Sequence, residues 1–301
     1  MSTPTQTETP GTETFSLLDA FDLTPQTDPT AADAPDTFTA RHQVIPSGRA
    51  YGGEVVAQAV TAVSKTVGDE KSIHSFHGYF LRPGDVHEPT SWTVDRTRDG
   101  RGFSARAVTG VQKGKEIFTG LASFHTGAGS PAHQEPAPEL PDPQSLPTSA
   151  ELLVGSTVRD ARYWSYQRHF DIRHDPGAIY TSITGPRVHR QTVMLKAFHA
   201  LPDDPAVHRQ ALAYLCDYTL LEPALRYHGY AWADEGVVTA SLDHAMWWHN
   251  DGRADEWIAL VQDVPISGNG RALARGQIYD SAGVLLASVV QEGMLALPSE
   301  S

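Results

Sequence analysis

Leu212-Ala213-Tyr214-Leu215-Cys216-Asp217-Tyr218-Thr219-Leu220-Leu221 is an apolar run with one carboxylate set inside it. The run lies within Val207 to His228, which reads as a helix preceded by Pro205 and closed by Gly229 as its C-cap. On such a helix the neighbours of Asp217 one turn away are Ala213, Tyr214, Leu220 and Leu221, so the acid falls on the core-facing stripe. A carboxylate there is costly unless it is hydrogen-bonded. Two readings stay open from this stretch alone: a buried acid bracing a neighbouring loop, or a base held in a dry slot.

Around this helix the chain reads mostly as strands. Downstream lie Gly236 to Trp248, Trp257 to Val264, Gly270 to Tyr279 and Val284 to Met294; upstream lie Trp164 to Ile172 and Gln191 to Phe198. The first half has the same order. A strand at Thr37 to Val44 is followed by a helix opened by Gly52-Gly53 and running to Val67, with Val55, Val56, Ala59, Val60 and Val63 at helical spacing. Strands follow at Ser72 to Leu81, Thr90 to Arg98, Phe103 to Gln112 and Glu116 to Phe124, with turns at Arg98 to Gly102 and Lys113-Gly114-Lys115. Phe15 to Phe21 suits a short docking helix, and residues 1–14 are polar, Thr/Pro-rich and expected to be disordered.

The repetition extends to the residues. His74-Ser75-Phe76-His77-Gly78-Tyr79-Phe80 lies on Ser241-Leu242-Asp243-His244-Ala245-Met246-Trp247, and Ser104-Ala105-Arg106 on Leu273-Ala274-Arg275. A period this long means a duplicated domain rather than a solenoid. The expected organisation is a repeat at 15–125, a Pro/Gly/Ser-rich linker at 126–160 and a second repeat at 161–297. Each repeat is an α+β unit, a curved antiparallel sheet wrapped around one long helix, and the two sheets join edge to edge.

Composition excludes several classes. With 23 basic against 36 acidic side chains, the net charge of −13 argues against a nucleic-acid binder. The single cysteine, Cys216, rules out an intrachain disulfide and suits a reducing cytosol, so a cytoplasmic protein is expected. No apolar run is long enough to cross a membrane as a helix, and the N-terminus lacks a signal pattern. His74 with His77 and His244 with His249 have odd spacings, which in strands put the side chains on opposite faces, so no metal site is expected. His77 and His244 are read as braces between the equivalent strands. Cys216 lies about 100° round the helix from Asp217 and reads as a buried hydrophobe rather than a nucleophile. There is no Gly-x-Ser-x-Gly elbow, Gly-x-Gly-x-x-Gly or P-loop.

Arg49-Ala50-Tyr51-Gly52-Gly53-Glu54, His74 to Asp85, Arg98-Asp99-Gly100, Ser241 to His249 and Ala287 to Gly293 resemble the acyl-CoA thioesterase II family of the bacterial TesB type. The resemblance runs from about Phe15 to Met294, with the linker its loosest part. It implies a double hot-dog fold, in agreement with the repeat. It also implies hydrolysis of acyl-CoA to free fatty acid and CoA, without metal or other cofactor, at a site made of an Asp, a hydroxyl and a Gln. By motif these fall on Asp217, Ser241 and Gln291, the hydroxyl being Ser here where the well-known bacterial form has Thr.

Those residue types suit the chemistry. A carboxylate can take the proton of an attacking water, and a hydroxyl and an amide can hold both. A covalent route through Asp217 stays open. The oxyanion needs donors, for which Gly52 and Gly53 at a helix start are the candidates. In the first repeat, Ala122 or its neighbour stands where Gln291 does, His74 where Ser241 does, and Gln58 where Asp217 does, so one working site per chain is expected. Gln58 and His74 become candidate substrate contacts. Arg82, Arg98, Arg101, Arg106, Arg271 and Arg275 are candidates for the CoA phosphates, Arg271 foremost. The substrate aside, the expected partner is a second copy of the chain, in a homo-oligomer. The alternatives are a hot-dog hydratase, which needs a His beside the Asp, and a non-catalytic acyl-CoA binding protein.

Overall fold

The computed structural model describes residues 15–26, 35–127 and 129–298. Its strands are β1 (Thr24–Pro25), β2 (Asp36–Ala40), β3 (Ser72–Phe80), β4 (Thr90–Asp99), β5 (Phe103–Gln112), β6 (Lys115–His125), β7 (Phe170–Asp175), β8 (Arg190–Ala197), β9 (Val238–Ser241), β10 (Asp243–Trp248), β11 (Ile258–Gly268), β12 (Arg271–Asp280) and β13 (Leu285–Ala296). The α-helices are α1 (Gly52–Ser64), α2 (Ser149–Leu152), α3 (Pro205–Cys216) and α4 (Glu222–His228). The tail at 1–14 lies outside the described residues.

All strands belong to one antiparallel sheet ordered β1-β2-β4-β5-β6-β3-β10-β13-β12-β11-β8-β7, with β9 also paired to β13. The two repeats meet between β3 and β10, where His77 faces Ala245 and Gly78 faces His244. The motifs that align in sequence therefore pair with each other across the join, as two related halves meeting about a twofold axis must. This is the expected double hot-dog.

Alternation along β5 and β12 buries one face of each. Against the inner face of the first half lies α1, whose Val55, Val56, Ala59, Val60 and Val63 are all buried. Its buried Gln58 is satisfied inside: it donates to the Arg41 carbonyl at 2.8 Å and accepts from Trp92 Nε1 at 3.2 Å. α1 also packs along α3, which brings the helices of both halves side by side.

Three expectations need correction. The helix at Val207 to His228 is two helices, interrupted after Cys216. Pro223 explains the break: inside a continuous helix its ring would meet the Thr219 carbonyl and leave it unpaired. Instead Pro223 occupies the first turn of α4, and the Thr219 carbonyl accepts from Gln262 Nε2 at 3.0 Å and from the Glu222 amide at 2.9 Å. The strand at Trp164 to Ile172 is a π-turn, Tyr163–Gln167, followed by β7; its alternating aromatics mimic strand periodicity. The strand at Gly236 to Trp248 breaks at Leu242. Within 126–160, α2 is capped by reciprocal Thr148–Glu151 hydrogen bonds. Gln134 also ties that segment to the β12–β13 turn through Gly283 and Leu285.

Candidate active site

Three elements converge where α3 stops. Asp217 is its C-cap residue, at φ −78° and ψ −5°. Ser241 ends β9, in register with Gly293 of β13. Gln291 occupies an inward position of β13, between the buried Val289 and Gly293. An amide facing a core must find partners, and this one finds three. Its Nε2 donates to Asp217 Oδ1 at 2.7 Å and to Ser241 Oγ at 2.9 Å. Its Oε1 lies 2.8 Å from His244 Nδ1. Ser241 Oγ donates to the same Asp217 oxygen at 2.7 Å. The three residues assigned by motif thus form one closed network.

The first half supplies the other wall. α1 begins at Gly52 with no side chain capping its N-terminus, so its positive end faces Asp217. A Cβ on Gly52 would come within 2.3 Å of Asp217 Oδ2, and one on Gly53 within 2.0 Å of the Tyr214 carbonyl. Both positions must be glycine for the helix start to approach this closely. Tyr51 fixes the same contact by donating from its hydroxyl to the Tyr214 carbonyl at 2.9 Å and stacking on Tyr218 at 4.5 Å.

Burial pushes the Asp217 carboxyl above the ordinary Asp value of 3.8; the bonds from Gln291 and Ser241, and the nearby Gly53 amide, pull the other way. The carboxyl is enclosed by protein, and its exposed surface opens onto a cavity of about 820 Å³. Gly52, Phe80, Arg82, Ser241 and Leu242 share that cavity's wall.

The remaining candidates divide. Gly52 lines the cavity while Gly53 is buried behind it. Gln58 is in the core, bonded to Trp92. His74 bonds Ser123 Oγ at 2.8 Å, and Arg271 pairs with Glu292 at 3.0 Å. None of these three lines the cavity: each is spent on the partner just named. Of the six arginines named for phosphates, Arg82 alone lines it. Arg106 and Arg275 are paired with Asp99 and Asp263. Arg49, outside those six, is exposed at the same rim. Cys216 is buried, donates to the Leu212 carbonyl at 3.0 Å, and has its thiol pushed up by burial, which makes it unreactive.

His244 also departs from its expected role. It does not brace the sheet join, where His77 packs edge-on against Trp247 at 4.9 Å. Because Gln291 gives both N–H groups to Asp217 and Ser241, its oxygen must accept, so His244 carries its proton on Nδ1. An inward-facing histidine on an alternating strand was the signal available.

A carboxylate held by a hydroxyl and an amide at the edge of a cavity, on a double hot-dog fold, is suited to activating a water. Comparison with known proteins agrees. An acyl-CoA thioesterase family model matches residues 165–294, and a model of the acyl-CoA thioesterase N-terminal domain matches 41–125. Human acyl-coenzyme A thioesterase 8 is 34% identical over 272 residues, covering 86% of this chain and 84% of the relative. Acyl-CoA thioesterase 2 of Haemophilus influenzae is 28% identical, covering 86% and 91%. The crystal structure of acyl-CoA thioesterase II TesB2 from Mycobacterium marinum superposes with a TM-score of 0.75 at 36% identity, covering 94% of this chain and 99% of that one. The chain belongs to the acyl-CoA thioesterase family.

Proposed function

We propose that the protein hydrolyses acyl-CoA to a free fatty acid and CoA, with Asp217 as the general base that activates the attacking water. The observation that carries this reading is the convergence of Ser241 and Gln291 on one oxygen of a carboxylate that opens onto a large cavity.

Asp217 Oδ1 already accepts two hydrogen bonds, so Oδ2 is the oxygen that receives the water's proton. Ser241 and Gln291 hold the carboxylate in one rotamer and favour its ionised form against burial. The Gly53 amide acts on that same charge, which leaves the Gly52 amide, at the cavity surface, as the helix-start donor for the oxyanion. Protonation of the leaving thiolate returns the proton and resets the base. Arg49 and Arg82 at the exposed rim suit the CoA phosphates, with the pantetheine arm running inward toward Asp217.

A hydratase needs an acid/base pair at the substrate. Here His244 reaches Asp217 only through the Gln291 amide, so the pair is missing. A thiol-trapping assay over acyl-CoAs of increasing length tests the reading and separates it from acyl-CoA binding without turnover. Cys216, being buried, contributes no background. Wild type is expected to release CoA and Asp217→Asn to lose at least ~100-fold in kcat. An Asp217→Asn variant with undiminished activity refutes the assignment.

A further inference from the structure

Two backbone segments meet at the cavity mouth, and one side chain outside the cavity fixes how they meet. Arg82, Pro83 and Gly84, which follow β3, line one edge, and Arg49 and Ala50, which precede α1, line the next. The Ala50 amide donates to the Gly84 carbonyl at 2.9 Å, and Arg49 forms an antiparallel bridge with Asp85. The approach is close: a Cβ on Gly84 would come within 2.9 Å of the Ala50 Cβ. In this pairing the N–H and C=O of Asp85 turn away from Arg49 and toward the end of β5. Gln112, the last residue of β5, takes both. Its Oε1 accepts from the Asp85 amide at 2.8 Å, and its Nε2 lies 3.1 Å from the Asp85 carbonyl.

Gln112 is 6% exposed and does not line the cavity. Its two N–H groups serve three acceptors: the Glu88 carbonyl at 2.8 Å, and the Asp85 carbonyl and Thr90 Oγ1 at 3.1 Å each. Thr90 Oγ1 is fixed in turn by His42 Nε2 at 2.7 Å. One buried amide thus satisfies three backbone groups of the loop from Arg82 to Glu88, a task that a neighbouring strand would ordinarily perform. From outside, Lys113 takes up the loop's two carboxylates, Asp85 at 3.1 Å and Glu88 at 3.2 Å. A phosphate arriving between Arg49 and Arg82 therefore meets no unpaired carboxylate of this loop. Arg82 is steadied by donating from Nη1 to the Glu116 carbonyl at 2.6 Å. Arg159, the other exposed arginine of the cavity wall, is paired with Asp160 at 2.8 Å. Ordering a long exposed arginine on a ligand costs side-chain entropy, so a fixed backbone beneath it strengthens the contact.

We propose that Gln112 is a positioning residue for the nucleotide end of CoA: it sets the loop from Arg82 to Glu88 against the segment from Gly48 to Ala50, so that Arg49 and Arg82 stand as one preformed pair of cations for phosphate. Gln112 touches no substrate and acts through these two arginines. The proposal rests on the thioesterase reading of the site and names the buried group that gives the enzyme its hold on CoA, as distinct from the acyl chain.

The test compares kcat/KM for hexanoyl-CoA and for S-hexanoylpantetheine, which keeps the thioester and its arm but has no phosphates. It is run on wild type, Gln112→Met, Gln112→Asn, Arg82→Gln and the Arg82→Gln/Gln112→Met double variant. Wild type is expected to favour the CoA ester more than ~10-fold. In Gln112→Met that ratio should fall at least ~10-fold, mostly as a rise in KM for the CoA ester, whatever happens to absolute rates. Gln112→Asn keeps an amide but is one methylene too short to span Asp85 and Glu88. It should lose the ratio as well, and it covers a Met variant that fails to fold. The double variant should lose less than the product of the two single losses, because both changes act on one cation pair. Single losses that multiply overturn the proposal. So does an equal fall for both thioesters in the Gln112 variants, which assigns Gln112 to packing alone, and so does a wild-type ratio near one. A second readout needs no turnover. Adenosine 3′,5′-bisphosphate, which carries the nucleotide end of CoA alone, should raise the thermal midpoint of wild type more than that of Gln112→Asn at equal concentration. Equal shifts overturn the proposal. Failure of both thioesters to release thiol in wild type, with the bisphosphate shifts as expected, instead counts against the thioesterase reading.

Discussion

Replacing His244 by Leu tests whether the amide of Gln291 is aimed or merely present. The imidazole donates to Gln291 Oε1 at 2.8 Å, and both groups are about 1% exposed. With His244→Leu the amide oxygen has two choices. It stays where it is, buried and unsatisfied, or the amide turns over and sets oxygen against Asp217 Oδ1. Each outcome weakens the 2.7 Å bond from Gln291 Nε2 to the carboxylate. A hydrogen bond to a charged group contributes about 1.5–3 kcal/mol. At about 1.4 kcal/mol per factor of ten, kcat should fall roughly 10- to 100-fold. The acid limb of the pH–rate profile gives a second, independent sign. Asp217 must be ionised to act, and burial already raises it above the ordinary 3.8. Activity therefore appears as pH rises through that raised value. Loss of a bond that favours the ionised form moves the limb to still higher pH. His244→Asn keeps an N–H donor near the position of Nδ1 and should recover most of kcat and the original limb. The assay is stopped-flow thiol release with saturating acyl-CoA from pH 4 to 9. A Leu variant within twofold of wild type, with an unmoved acid limb, would mean that Gln291 is oriented by Asp217 and Ser241 alone.

Two further perturbations probe the scaffold. Gly52→Ala places a methyl 2.3 Å from Asp217 Oδ2, a side-chain end that can swing away. The variant should fold with a near-native thermal midpoint yet lose at least ~100-fold in kcat as the carboxylate is displaced; native-like turnover would show that Oδ2 is not the working oxygen. Glu222 is buried beside His174 at 3.1 Å, and although burial raises its carboxyl, that pair and the bonds from Trp232 and Gln191 carry it below the ordinary 4.5. Its stabilisation is thus present above pH 4.5 and lost as pH falls through the lower folded value. Glu222→Gln should cost about 3 kcal/mol in urea unfolding at pH 7, with the gap to wild type closing under acid; a gap independent of pH would show that the carboxylate is not what Gln191, Trp232 and His174 require.

The parts of this molecule that follow a period were legible in its residues, and the parts that depend on one proline or one cross-strand neighbour were not. Two-residue alternation and turn residues located the hairpins. Lys113 and Gly114 take φ of 50° and 72°, and Asn269 and Gly270 repeat the pattern in the second half. Asp217 stood out because an acid on an apolar stripe demands an explanation, but its helix was drawn through Pro223, which hid the reason for its position. A continuous helix would have carried Asp217 as one more core-facing side chain. The break makes it a terminal residue, where the chain turns aside and its carboxylate meets the start of α1. Ser241 and Gln291 came from resemblance alone, yet the pairing itself ties them to Asp217. Ala245 faces Val290 across β10 and β13, so one step along that register sets His244 opposite Gln291. Two polar side chains facing inward at adjacent positions of neighbouring strands cannot be accidental core residues, since each must satisfy the other or something beyond. Here His244 satisfies Gln291, Gln291 turns its N–H groups onward, and the chain of donors ends on the carboxylate that the broken helix presents.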